Sequence, residues 1–124
     1  MTKKLTFIVL AFILCIGNAS AQNNFQSNKL TKVWETDDGL FTPESAHYNK
    51  NDNTIYVSNI AGDYKVDGKK GYISKLDANG KILTQKWLEG LKAPKGIYTS
   101  KTKLYVTDID CVLEIDLRSG EVLN

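Results

Sequence analysis

Most of this chain is written twice, and that repeat limits the fold more than any other feature. The later copy runs from Pro94 to Val122. It holds Ile97-Tyr98-Thr99, the polar turn Ser100-Lys101-Thr102, then Leu104-Tyr105-Val106-Thr107. Asp108-Ile109-Asp110 breaks that run, Val112-Leu113-Glu114-Ile115 forms another, and Arg118-Ser119-Gly120 turns into Glu121-Val122-Leu123. Short runs of β-branched and aromatic residues bounded by Gly, Asp, Asn and Ser are strand and hairpin signals. Turns this short join antiparallel neighbours, so the unit reads as a four-stranded meander.

The earlier copy runs from Pro43 to Trp87. Pro43-Glu44-Ser45-Ala46 stands where Pro94-Lys95-Gly96-Ile97 stands, and Thr54-Ile55-Tyr56-Val57-Ser58-Asn59 matches Lys103-Leu104-Tyr105-Val106-Thr107-Asp108. Ile73-Ser74-Lys75-Leu76-Asp77 matches Val112-Leu113-Glu114-Ile115-Asp116, and Asn79-Gly80 matches Ser119-Gly120. The spacing between partners shortens along the unit, which places an inserted loop at 60–71 in the first copy. A repeat of about 40 to 50 residues with four strands is the signature of a β-propeller blade. The expected fold is therefore all-β: a partial propeller of two four-stranded antiparallel blades, at 37–89 and 90–124, after a leader at 22–36. Within that leader Leu30-Thr31-Lys32-Val33-Trp34-Glu35 alternates and reads as a strand, a candidate closing strand for a ring. Two blades leave both outer faces uncovered, so the chain reads as the N-terminal fragment of a longer propeller.

Residues 1–21 read as a secretory signal peptide: Lys3 and Lys4, an apolar run from Leu5 to Ile16, and the small-x-small site Ala19-Ser20-Ala21. The run is too short to span a membrane, and Leu14 before Cys15 does not fit a lipoprotein signal. Export to the periplasm or the medium is expected. The chain has 16 basic and 14 acidic residues. Loss of Lys3 and Lys4 with the signal leaves them equal, so no basic field recruits nucleic acid. Cys111 is then the sole thiol, which excludes an internal disulfide and a cysteine zinc site. Stable membrane insertion after cleavage is not expected.

Antiparallel alternation sets which loops share an end of the sheets. The entries to the first strands and the loops after the second strands fall together, so Glu44, Asn59, Lys95, Asp108 and Asp110 are expected on one ligand face. Glu44, Asn59, Asp108 and Asp110 offer oxygen ligands of the kind that Ca²⁺ or Mg²⁺ takes. Asn59 and Asp108 also suit ordinary turns after a strand. Glu44, directly after Pro43, has no evident turn duty. His47 stands alone and reads as a strand residue, Tyr56, Tyr105 and Trp87 read as packing residues between blades, and no phosphate loop is present.

Pro43-Glu44-Ser45-Ala46, Tyr56-Val57-Ser58-Asn59-Ile60, Gly90-Leu91-Lys92-Ala93-Pro94-Lys95-Gly96 and Leu104-Tyr105-Val106-Thr107-Asp108-Ile109-Asp110 together resemble the gluconolactonase, senescence-marker-protein (regucalcin) and strictosidine-synthase-like superfamily, in its exported bacterial subgroup. The resemblance covers nearly all of the chain after the signal but only the first third of such a protein. It implies a six-bladed propeller holding one divalent metal, Ca²⁺ first among them, that polarises a sugar lactone for attack by water. Glu44 matches the position of the first metal ligand. Lys95, at the same position of the second blade, is not a ligand type, and the later ligands come from blades beyond Asn124. The expected function is that of an exported sugar-lactone hydrolase whose fragment here is inactive. The alternative is a non-catalytic periplasmic propeller of NHL-repeat type that binds a small ligand or a protein partner.

Overall fold

Strands form where the β-branched and aromatic runs lie, and every pairing between them is antiparallel, across the short polar turns and across the longer connection at 60–70 alike. The computed structural model describes residues 30–62, 68 and 70–124. The expected signal peptide, residues 22–29 of the leader, and 63–67 and 69 of the inserted loop lie outside the described residues. Among the described residues there is no helix, and none long and apolar enough to cross a membrane. The first sheet consists of β1 (Pro43–Asn49), β2 (Thr54–Asn59), β3 (Gly71–Asp77) and β4 (Ile82–Leu91), in that order. The second consists of β5 (Ile97–Thr99), β6 (Lys103–Thr107) and β7 (Val112–Asp116), again in order.

The fourth strand of the second unit is rudimentary. Val122 pairs with Ile115 as a single bridge. Around it the Leu123 N–H donates to the Glu114 carbonyl at 2.7 Å, and the Glu114 N–H to that of Asn124 at 2.9 Å. The second unit is thus three strands and a paired tail.

Repeat chemistry is visible in the turns. Asp77 Oδ1 accepts the N–H groups of Asn79 and Lys81 at 2.8 and 3.0 Å. Asp116 Oδ1 accepts those of Arg118 and Ser119 at 2.9 and 2.8 Å. Each carboxylate folds its own backbone into a turn. Each turn then needs a residue at left-handed φ, supplied by Gly80 at 84° and Gly120 at 76°.

The register puts His47 beside Tyr56 and Tyr56 beside Lys75, so these three share one face of the first sheet. That face packs against the second sheet. Tyr56, Ile73 and Leu91 meet Leu104, Val106, Ile115 and Leu117 in one buried cluster, with Trp87, Leu88, Ile97 and Leu113 packed around it. Tyr56 stands edge-on to Trp87 with ring centroids 5.4 Å apart, and Lys75 Nζ lies 3.9 Å from the Trp87 ring centroid. Burial holds the Lys75 ammonium pKa below the usual lysine value, against the pull of Asp52. The Tyr56 hydroxyl donates to Asp52 Oδ2 at 2.8 Å. Burial first, and then the Asp52 carboxylate, push its pKa well above the ordinary tyrosine value. Both sheets belong to one unit, Lys32–Asn124.

The alternating stretch at Leu30–Glu35 adds no strand to either sheet: among the described residues Thr31–Asp37 has no ladder partner. It leads instead into a segment laid across the other face of the first sheet. The Trp34 ring lies over Gly80, Gly39 meets Ile82, the Gln85 side-chain amide donates to the Gly39 carbonyl at 2.6 Å, and the Phe41 N–H donates to the Tyr72 hydroxyl at 3.2 Å. The physical reason is that covering a sheet face calls for side chains, whereas a strand needs a free edge. Alternation alone does not separate the two.

A Cβ on Gly80 would lie 2.3 Å from the Trp34 ring. Gly80→Ala should therefore cost about 1–3 kcal/mol in urea unfolding, from the left-handed φ and the displaced indole together. The Tyr56 pKa generates a second expectation. A group whose folded pKa is raised contributes stability fully below its unfolded value, and loses it as pH rises beyond that value. The stability advantage of wild type over Tyr56→Phe should accordingly shrink above about pH 10. Urea midpoints of both proteins at neutral and alkaline pH check this.

Candidate functional site

The starts of β1 and β5 and the ends of β2 and β6 lie at one end of the two sheets. Glu44 sits in a register irregularity between Pro43 and Ser45. Its Oε1 is 3.0 Å from Lys95 Nζ, with side chains 37% and 53% exposed. These two residues occupy the same position of the two repeats, so neighbouring sheets present matching points to each other, here with opposite charges. Lys95 is anchored from both sides: its N–H donates to the Thr107 carbonyl at 2.8 Å, and its carbonyl accepts from Ser58 Oγ at 2.6 Å. Ser58 Oγ also accepts the Ser45 N–H at 3.1 Å. Ser58 thus joins β1, β2 and the entry to β5. The sequence reading missed it, although a serine in an otherwise apolar strand row was the available signal.

Asp108 performs the turn duty that its position allows. Its Oδ2 accepts the Lys92 N–H at 2.8 Å, and its Oδ1 those of Ala93 and Ile109 at 2.7 and 2.9 Å. The segment before Pro94 is tied in this way to the loop after β6. Asp110 is exposed and pairs with Lys92 Nζ at 2.8 Å. That hydrogen bond and charge hold the Asp110 carboxyl pKa below the usual range and raise that of Lys92. Lys92 is a second residue absent from the sequence-based site.

Asn59 does not join the others. Strand alternation turns it to the face opposite Ser58, where it is fully buried. Its Nδ2 donates to the Val57 carbonyl at 3.1 Å and to Ser74 Oγ at 3.0 Å. Among the described residues its Oδ1 has no hydrogen-bond partner.

The five residues expected on the ligand face therefore resolve into two ion pairs, Glu44–Lys95 and Asp110–Lys92, one backbone cap at Asp108 and one inward amide at Asn59. Glu44 meets Lys95, Asp108 and Asp110 gather around Lys92, and Asn59 faces away. Among the described residues no group of three or more His, Cys, Asp or Glu side chains is placed to hold a metal ion. Glu44 is matched by an ammonium, and the Asp108 oxygens by backbone amides. This donor set does not fit a divalent centre by itself. His47 packs its ring against Tyr98, with centroids 5.5 Å apart, and Cys111 is exposed and free. At the opposite end, Asp52, Lys101, Thr102, Asp116, Leu117 and Arg118 line a cleft of ≈ 450 Å³ between the sheets.

No family model matches the chain. Nor does any curated protein or solved structure show significant similarity to it.

Asp108→Ala strands the Lys92 and Ala93 amides and should cost about 1–3 kcal/mol in urea unfolding. Asp110→Ala should leave the midpoint unchanged, because exposed ion pairs contribute little. Equal losses in the two variants would contradict this division of roles.

Proposed function

We infer that the chain forms two consecutive blades of a β-propeller, and that the Glu44–Lys95 end is the face on which it binds a small polar ligand. The observation carrying this reading is the stacking of the repeats. Glu44 and Lys95, equivalent positions of the two units, meet at 3.0 Å. The face that the first sheet hides under the second, with Tyr56 and Ile73, recurs on the second sheet as Tyr105 and Val112. There it lies open, with Val112 62% exposed. Stacking of each unit on the next through the same pair of faces is how propeller blades assemble. An exposed carboxylate beside an exposed ammonium can receive both the hydroxyls and the carbonyl or carboxylate oxygens of a sugar acid or its lactone. The reading favoured is an exported binding module of the NHL-repeat kind.

Sugar-lactone hydrolysis is the second reading. Glu44 favours it: among the side-chain contacts described, its carboxylate meets only Lys95, and it stands at the mouth of the innermost strand. A divalent ion, Ca²⁺ first among them, would draw on Glu44, displace Lys95 from it, and take its remaining ligands from other segments.

Titration of the isotope-labelled chain with an aldonolactone and with its ring-opened acid tests the binding face by NMR. Amide shifts should cluster at Glu44, Lys95 and Asp110, and Lys95→Ala should weaken binding of the acid about tenfold, the loss of one charge-assisted hydrogen bond. Shifts confined to the Asp52–Arg118 cleft would overturn the assignment. Ca²⁺-dependent ring opening that Glu44→Gln abolishes would put hydrolysis first.

A further inference from the structure

The mouth of the first sheet has features that its repeat partner lacks. Asn59 Oδ1 is a buried acceptor with no hydrogen bond among the described residues. Thr42 and Ala61 both sit at left-handed φ, 53° and 54°. Their segments are bonded to each other, Ala61 N–H to the Phe41 carbonyl at 3.2 Å and Ile60 N–H to the Thr42 carbonyl at 3.1 Å. Buried orphan acceptors are rare, and left-handed non-glycine residues persist only where their surroundings impose them.

The second sheet displays the other arrangement available to this sequence position. Asp108, the repeat equivalent of Asn59, caps the N–H groups of Lys92 and Ala93, the two residues before Pro94. Phe41 and Thr42 are the two residues before Pro43. In the first sheet the Phe41 N–H is given to Tyr72, and Asn59 turns inward to donate to Val57 and Ser74. A carboxamide can do either job, as donor inward or as acceptor in a cap; an ionised carboxylate can only accept.

We propose that Asn59 is a two-position latch that swings between the Ser74 contact and a cap on Phe41 and Thr42, and that in doing so it re-aims Glu44 relative to Lys95. The inward position keeps two donor bonds but leaves an orphan acceptor and a left-handed Thr42. The capping position exchanges these for amide bonds like those of Asp108. Hydrogen bonds are gained and lost on both sides, and the latch requires that both positions be populated. Thr42 is joined to Glu44 through Pro43, whose ring fixes its own φ. A change at Thr42 is therefore passed to the Glu44 carboxylate. Asn59 is a positioning residue in this scheme and touches no ligand.

The wild-type chain should show microsecond-to-millisecond relaxation dispersion at the Phe41 and Thr42 amides and at the Asn59 side-chain amide, with none at Lys92 and Ala93. Asn59→Asp should quench it, slow solvent exchange of the Phe41 and Thr42 amides about tenfold, and move the Glu44 carboxyl carbon resonance. Ser74→Ala removes an inward partner without adding charge and should shift the same signals in the same direction. It decides the matter where Asn59→Asp fails to fold. A wild type without dispersion at these sites, or a folded Asn59→Asp protein with unprotected Phe41 and Thr42 amides, would overturn the latch. An unmoved Glu44 resonance would overturn the coupling. The bearing of the latch on ligand capture rests on the Glu44 end being the binding face; the exchange measurements do not, so either can fail alone.

Discussion

The two sheets are held together by apolar burial, and the placement of every polar group at their ends follows from it. A sheet with one apolar face must bury that face against another layer. The face with Tyr56, Ile73 and Leu91 can leave water only against Leu104, Val106, Ile115 and Leu117. Burial of each large aliphatic or aromatic side chain contributes about 1.5–3 kcal/mol. An exposed pair such as Glu44–Lys95 contributes about 0–1 kcal/mol. The ion pairs therefore report the alignment of the sheets and do not cause it. Trp87 adds shape to this interface: it abuts Tyr56 on its own sheet and Gly120 on the other. Lys75 lies against the indole and the Tyr56 ring, where its charge is met by aromatic faces.

The same stacking explains why one end of the molecule gathers charge. The sheets lie side by side through β1 and β5, so whatever follows Pro43 meets whatever follows Pro94. With Glu in one copy and Lys in the other at that point, the contact is a pair in place of a repulsion. Asp108 then fixes the approach to β5 by taking two amides ahead of Pro94, and Ser58 fixes it from the other side through Lys95. The entry to the second sheet is thus tightly determined. The entry to the first has no such cap, and there the strained residues and the orphan acceptor are found.

Much of this was legible in the chain itself, and the unreadable parts share a cause. Strand runs, turn residues and the order of elements follow local rules, so the repeat revealed them, including the paired Asp77 and Asp116 turns. Alternation also assigned Glu44, Lys95, Asp108 and Asp110 to one end. Whom each side chain meets there was not legible, because contacts between sheets depend on their relative placement. Asn59 shows the limit well. Its position matches Asp108 residue for residue, yet an amide can donate where a carboxylate cannot, and that one chemical difference turns it away from the site. The path of the leader was unreadable for a related reason: Val33-Trp34 is as apolar as a strand, but the side chain of Trp34 lies on Gly80, a glycine required for the turn and bare enough to accept an indole.

On the propeller reading, the open face of the second sheet sets conditions on anything that covers it. Tyr105, Val112 and Glu114 stand where Tyr56, Ile73 and Lys75 stand in the first sheet, so the shape repeats while the central charge is inverted. Glu114 already has a partner in Lys103 on the same face. A covering sheet therefore need not supply a cation there, but it must not bring a second carboxylate, since an unpaired buried charge costs far more than a pair returns. Tyr98, 61% exposed and opposite Tyr105, supplies the aromatic surface for such a contact. The first interface uses a lone lysine cushioned by rings, whereas the second would use a self-contained ion pair. These two junctions would then differ, and the difference would distinguish one repeat from the other when they are stacked.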